Sequence, residues 1–361
     1  MEKYRHNSIK NHFGAKSLLL AALCLFLSFT FASCGKEDAQ SSDEGTVSEN
    51  SEKPSSAQSD IPSDENSENT DEKIPKGDMD IVVLGDSIAY GYGLENIERE
   101  RWSYQLSEML KSDYENVNTV NYGINGQTGS ELADMLENSM PEEIKNCDTV
   151  LVSIGGNNIL RGLMSLLDDE SIKNIDEEYL KTVFYDFLKY SFPKEGEDVS
   201  EYAYAVAELN SLFDRVNGIF DSDNYKKILE KASRDLEAEL SKIVSEIKKA
   251  NPKALIYIQT VYNPYKGISL GFKNIDSKIE LSKRGDGAVS FLNRVIISQK
   301  DVCGYFVADV FEGFDRSEFT LTNPRIDLAD KKIILDPHPN KKGHYEIAKI
   351  YYSLLTEGRN D

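Results

Sequence analysis

Asp80-Ile81-Val82-Val83-Leu84-Gly85-Asp86-Ser87 is the stretch on which the fold turns. Ile81–Leu84 is an apolar run without polar alternation, and it stops at a glycine. That pattern suits a strand buried on both faces of a parallel sheet. Working outward, Val117–Tyr122, Asp148–Ile154, Ala254–Val261 and Tyr305–Val310 read as further strands. Between them, Trp102–Leu110 and Thr128–Leu136 have helical apolar spacing, the second capped by Thr128 or Ser130. A long amphipathic helix is predicted over Tyr225–Ala250, another over Gly287–Ser298 and a last over Glu346–Leu355. Strand and helix in alternation predict a three-layer α/β/α sandwich around a mostly parallel five-stranded sheet. In such sheets ligands bind beyond the carboxyl ends of the strands.

From Ile159 to Ser222 the alternation breaks. Helix-like pieces at Glu178–Tyr190 and Tyr202–Phe213 predict a helical insertion, residues 159–222, after the third strand. It emerges on the side of the strand ends, so a cap over the site and a peripheral decoration are both open. Its aromatics Phe184, Tyr185, Phe187, Tyr190 and Phe192 either line an acyl site or form the insertion's own small core.

The N-terminus reads as an address. Lys3, Arg5, Lys10 and Lys16 precede Ser17–Ser33, SLLLAALCLFLSFTFAS, which is almost wholly apolar and ends in small residues before Cys34. Residues 1–33 are therefore expected to be a secretory leader, with an uncleaved signal-anchor helix as the alternative. Residues 34–77 are rich in Ser, Glu and Asp, with Val47, Ile61 and Ile74 as the large apolar groups. Such a segment cannot bury enough surface to offset its ordering entropy and is expected to be a disordered, solvated tether. Residues 78–361 remain for one α/β domain.

The net charge of −21 argues against general nucleic-acid binding and against electrostatic adhesion to anionic lipid. Of the four cysteines, Cys24 lies in the leader and Cys34 at its end; Cys147 precedes one strand and Cys303 begins another. No CxxC pair is present. Cys147 and Cys303 are expected to be two buried apolar thiols; a disulfide between them is the alternative in an oxidising compartment. HExxH and Walker sequences are absent, and GxGxxG does not follow the first strand, so no metal or nicotinamide cofactor is expected.

Ser87, directly after a buried strand, stands where a nucleophile can be exposed on a sharp turn; a plain helix cap is the other reading. A hydroxyl nucleophile needs a base. His6 and His12 lie ahead of the apolar run, which leaves His338 and His344. His344, at the start of the last helix, is expected to be a surface or capping residue. His338 stands between prolines in Asp336-Pro337-His338-Pro339-Asn340, with a carboxylate two residues earlier. Developing oxyanion charge needs donors. Asn121–Thr128 (NYGINGQT) and Gly155–Asn158 (GGNN), each following a strand, can supply backbone N–H groups and an uncharged amide.

These segments occur in order and together resemble the GDSL/SGNH hydrolase family over about Asp80 to Leu355, including its bacterial lipoprotein members. GDSIAYGYG is similar to the family's first block and NYGINGQTG to its second. GGNNILRG is similar to the third and DPHPNKKGH to the last. The resemblance implies an SGNH, flavodoxin-like fold. It implies Ser87 as nucleophile, His338 as base and Asp336 as its partner, with Ser87, Gly126 and Asn157 as the oxyanion hole. Separately, Phe31-Ala32-Ser33-Cys34 resembles a bacterial lipobox, with small Ala32 and Ser33 and with Phe31 in place of the usual Leu. Cys34 would then carry lipid and hold the protein on the extracellular face of a bacterial cell membrane.

Two departures stand out. The third block commonly has Asp where this chain has Asn158, and the last commonly spaces Asp and His three apart rather than two. Pro337 holds Asp336 toward an extended backbone, which leaves Asp327, Asp330 or a backbone carbonyl as alternative partners for His338.

The implied activity is hydrolysis of carboxylic esters through an acyl-enzyme, without cofactor. The protein would act as a monomer on a small-molecule or cell-envelope ester: a lysophospholipid, a short-chain acyl ester or an acetylated sugar. The alternatives are an inactive surface binding module on the same fold and a doubly wound nucleotide-binding domain.

Overall fold

β1 (Met79–Gly85) lies at the switch point of a five-stranded sheet. It pairs with β2 (Val117–Gly123) on one side and β3 (Thr149–Ser153) on the other, and the sheet continues through β4 (Leu255–Gln259) to β5 (Phe306–Ala308). The order is β2-β1-β3-β4-β5 and every pair is parallel. In this computed structural model the described residues are 76–168, 176–327 and 332–357. The leader, nearly all of the tether and Asp330 lie outside them.

The helices are α1 (Ser87–Tyr90), α2 (Ile97–Glu100), α3 (Trp102–Leu110), α4 (Gly129–Asn138), α5 (Gly156–Met164), α6 (Glu177–Ser191), α7 (Tyr204–Phe220), α8 (Asp223–Ala250), α9 (Leu281–Cys303), α10 (Val310–Arg316) and α11 (Lys341–Thr356). α3, α10 and α11 pack together in one layer, and α4, α5, α8 and α9 in the other. This is the α/β/α sandwich read from the strand–helix alternation.

The apolar run of β1 is continuous because both of its faces are covered. Ile81 and Val83 join Trp102, Leu106 and Leu110 of α3 and Ile347, Tyr351 and Leu355 of α11 in one buried cluster. Val82 and Leu84 point the other way and are just as buried. Trp102, the chain's one tryptophan, is the largest piece of this core. Its ring stacks on Tyr351 with centroids 4.9 Å apart, and its indole N–H donates to the Ile88 carbonyl at 3.1 Å. The core thus reaches directly under the turn that carries Ser87.

A second, two-stranded antiparallel ribbon, β6 (Thr322–Asp327) with β7 (Lys332–Pro339), was not foreseen from the sequence. Its register slips between Thr322, which faces Pro339, and Asn323, which faces Asp336. Pro337 and His338 therefore have no partner of their own on β6. Bulges of this kind re-aim side chains.

Residues 176–222 contain α6, α7 and one short 3-10 turn. Phe187 is buried, and Phe184, Phe187 and Phe213 converge on Phe272, so these rings form a local core. Tyr185 and Phe192 stay exposed.

Two expectations are corrected here. Cys303 ends α9 instead of beginning a strand, and it is half-exposed, because the chain turns at Gly304 before β5 starts. Both Cys147 and Cys303 are free thiols. His344 is fully buried, not on the surface. It lies on the face of α11 that meets α3, and its Nδ1 accepts from the Trp102 backbone N–H at 3.3 Å. The helix cap is Asn340, whose side chain accepts from the Gly343 N–H. Among the described residues no helix is long and apolar enough to cross a membrane.

Candidate active site

The chain leaves β1 through Gly85, whose φ of +133° few other residues tolerate. A Cβ at this position would fall 1.9 Å from the Ser153 carbonyl oxygen, so glycine is also the residue that lets β1 and β3 close up here. Asp86 follows, donating its N–H to the same carbonyl and capping α1 through its side chain, which accepts from the Ile88 N–H at 3.0 Å. Ser87 is thereby placed at the first position of α1, on the carboxyl edge of the central strand.

His338 meets it from the ribbon, 251 residues later in sequence. Its Nε2 lies 3.0 Å from Ser87 Oγ, and both side chains are buried. Its Nδ1 lies 2.7 Å from Asp336 Oδ1. The same carboxylate oxygen accepts the His338 backbone N–H at 3.0 Å. This is an Asx turn, in which an aspartate bonds its own backbone two residues on. It explains how a spacing of two suffices: the turn folds the carboxylate back onto the imidazole.

An ionised carboxylate only accepts, so the contact holds the proton on Nδ1 and turns the Nε2 lone pair toward the Ser87 hydroxyl. Chemically, such an arrangement can activate an alcohol for attack on a carbonyl. Asp327 belongs to β6, where it pairs with Lys332, and Asp330 lies outside the described residues.

The two donor segments also meet. Asn157, buried at the start of α5, donates one amide hydrogen to the Gln127 carbonyl at 3.0 Å. An amide carries two donors, so a second remains. Gly126 has a φ of +77°, and its carbonyl accepts from Arg161 Nη2 at 2.9 Å, which leaves its N–H side free of that contact. Beside them, a Cβ on Gly156 would stand 4.0 Å from Asp86 Oδ2. The segments after β1, β2 and β3 thus converge on one edge of the sheet.

Several supporting residues were not singled out from sequence. Tyr262 donates to the Pro337 carbonyl at 2.8 Å and Tyr265 to the Leu335 carbonyl at 3.1 Å, so two tyrosines after β4 hold the strand that carries His338. Burial pushes the Tyr262 phenol well above its usual range, so it stays a neutral donor. Tyr92 lies against the His338 ring, centroids 4.6 Å apart. Asp86 is a second buried carboxylate, raised to about 6 chiefly by loss of solvent and partly offset by the Ile88 N–H and the nearby His338. The signal for Tyr262 and Tyr265 was positional: VYNPY follows a strand, as the other site segments do. Among the described residues no group of three or more His, Cys, Asp or Glu side chains could hold a metal ion.

The profile of the GDSL-like Lipase/Acylhydrolase family matches residues 83–345, well over half of the chain and all of these segments. The chain belongs to this family. It is accordingly an ester hydrolase. No curated protein matches this GDSL-like hydrolase in sequence. Among solved structures, it is similar to the lipase Lip_vut3 from a goat rumen metagenome, at 15% identity over 76% of this chain and 96% of that one, with a TM-score of 0.46. Phospholipase A1 from Streptomyces albidoflavus NA297 is similar at 15% identity over 76% and 98%, TM-score 0.43. A catalytic mutant of Axe2, an acetylxylan esterase from Geobacillus stearothermophilus, is similar at 18% identity over 79% and 96%, TM-score 0.43.

Proposed function

We propose that this GDSL-like hydrolase is an exported, lipid-anchored serine esterase that works through Ser87, His338 and Asp336. His338 takes the Ser87 proton as Oγ attacks the ester carbonyl. The backbone N–H groups of Ser87 and Gly126 and the second Asn157 amide hydrogen hold the tetrahedral oxygen. The protonated His338 then donates to the leaving alcohol, and water, deprotonated by the same imidazole, releases the acid. Asp336 keeps the imidazole in the productive tautomer throughout. The observation that carries this reading is the continuous contact from Ser87 Oγ through both ring nitrogens to Asp336 Oδ1.

Ser87 is tested with a fluorophosphonate probe. The parent protein is expected to label once and Ser87→Ala not at all; a Ser87→Ala protein with the parent's esterase turnover overturns the reading. An inactive binding module predicts no labelling of either.

Anchoring rests on the sequence from Lys3 to Cys34. Cleavage before Cys34 would leave that residue as the N-terminus, carrying lipid, and residues 35–77 would hold the domain away from the membrane, outside the cell. Its test is radiolabelled fatty-acid incorporation, which Cys34→Ala is expected to abolish. The protein is expected to work as a monomer without cofactor. A chain-length series of p-nitrophenyl esters, run beside lysophospholipid and acetylated xylan and peptidoglycan, separates the substrate classes.

A further inference from the structure

Asn158 is the position at which this chain departs from the family's third block, and the reaction scheme gives it no role. Both polar atoms of its side chain are nevertheless engaged. Asn158 Oδ1 accepts the Gly129 backbone N–H at 3.2 Å, and Nδ2 donates to Glu239 Oε2 at 2.6 Å. Glu239 stands on α8 and also accepts the Ser130 backbone N–H. A Cβ at Gly129 would fall 2.2 Å from Glu239 Oε2, so only glycine admits the carboxylate this close to the start of α4. Gly129, Asn158 and Glu239 are therefore one fitted set.

This set sits at the junction of the two proposed donor segments: Asn157 precedes Asn158 and bonds the Gln127 carbonyl, two residues before Gly129. We infer that Glu239 is a positioning residue for the oxyanion donors, holding Asn158 and through it the Gly126–Gly129 loop and the Asn157 amide in register. The inference rests on the role proposed above for Gly126 and Asn157.

The chemistry requires the amide at 158. An amide can accept from a helix N-terminus and donate to a carboxylate at once; an ionised aspartate can only accept. Aspartate at 158 would set two carboxylates in contact, and two such groups cannot both ionise. Carboxylates favoured at the N-terminus of α4 come here from Glu131 in its own first turn and, across the helix interface, from Glu239 on α8. Burial raises the Glu239 carboxyl above its usual range, with Asp235 adding to the rise and Asn158, Ser130 and Lys231 opposing it. The other nearby charges on the packed helices are paired, Arg161 with Glu131 and Lys242 with Asp134 and Glu137.

The test is a double-mutant cycle in the intact enzyme: Asn158→Asp, Glu239→Gln and the pair together, with kcat, KM, the pH profile and Tm measured for each. Asn158→Asp is expected to lower kcat about tenfold at pH 8 with KM little changed, and to recover toward acid pH as the two acids share a proton. Glu239→Gln is expected to lower kcat about fivefold with no new pH dependence. The double variant restores one donor and one carboxylate. It is expected to return to within about threefold of the parent and to lose the alkaline decline.

An Asn158→Asp enzyme with the parent's kcat and pH profile overturns the inference, as does a double variant whose loss is the product of the singles. A fall in Tm with kcat unchanged also overturns it, leaving a structural role alone. Ser87→Ala separates the two readings: if it is inactive while the cycle is flat, only the Glu239 inference fails.

Discussion

The two halves of the site are built in different ways. Ser87 stands on the end of β1, a strand buried on both faces and underpinned by Trp102. His338 and Asp336 stand on a two-stranded ribbon outside the main sheet, at a slip in its register, held by tyrosines reaching over from the end of β4. The difference teaches where precision comes from. On the β1 side it follows from core packing, which resists movement because it is dense. On the ribbon side it follows from a few hydrogen bonds, each worth about 1 kcal/mol net. The β1 side is therefore expected to fail by unfolding, and the ribbon side by losing alignment while still folded.

The largest effect should come from the ribbon. Asp336→Asn removes the charge that selects the His338 tautomer, and kcat should fall by up to about ten-thousandfold. Circular dichroism and Tm should stay near the parent's; a large loss of Tm would erase the contrast. Next is Trp102→Ala on the β1 side, expected to cost about 3–5 kcal/mol by urea unfolding. Activity per folded molecule should change far less than in Asp336→Asn, because Trp102 supports the turn without touching the reacting groups.

The third prediction sharpens the contrast through pH. The Asp86 carboxyl is raised in the folded protein to about 6. Between its ordinary value and 6, the folded state binds the extra proton, so this group's contribution to stability falls as pH rises through that window and is constant above it. Asp86→Asn removes the ionisation but keeps an oxygen for the Ile88 N–H. Its stability relative to the parent should rise between pH 4 and 7 by up to about 3 kcal/mol. A difference that is flat in pH, read from Tm across that range, would contradict the assignment.

The smallest effect is expected from Tyr262→Phe. It deletes one hydrogen bond to the Pro337 carbonyl and should lower kcat by about tenfold or less, with KM and Tm little changed. A collapse in Tm instead would mean that the ribbon is held by packing, as β1 is.

The sheet side was legible because its signal is local. β1 is a short apolar run that ends in Gly85, β3 is a short buried run followed two residues on by Gly155, and α3 begins and ends where the apolar spacing placed it, at Trp102–Leu110. Thr128 caps α4 with a reciprocal bond from Glu131, a pattern visible in the sequence. The ribbon was not legible. Pro324, Pro337 and Pro339 interrupt it, and proline demotes a strand reading because it cannot donate to the ladder. His344 was misplaced because its position at the start of the last helix suggested a surface or capping role, while the packing of α11 on α3 buries it.

By itself, the order of residues determined the strand–helix alternation, the blocks at the strand ends and the short supply of histidine that pointed to His338. Those are properties of neighbours along the chain, set by periodicity and by the backbone demands of Gly and Pro. Only the tertiary structure decided that the Asp336 carboxylate reaches His338 across two residues, that Tyr262 and Tyr265 hold the ribbon, and that Asn158 meets Glu239. These contacts join segments separated by up to 81 residues or depend on an Asx turn. Their geometry comes from the packed sheet and helices, and no local pattern encodes it.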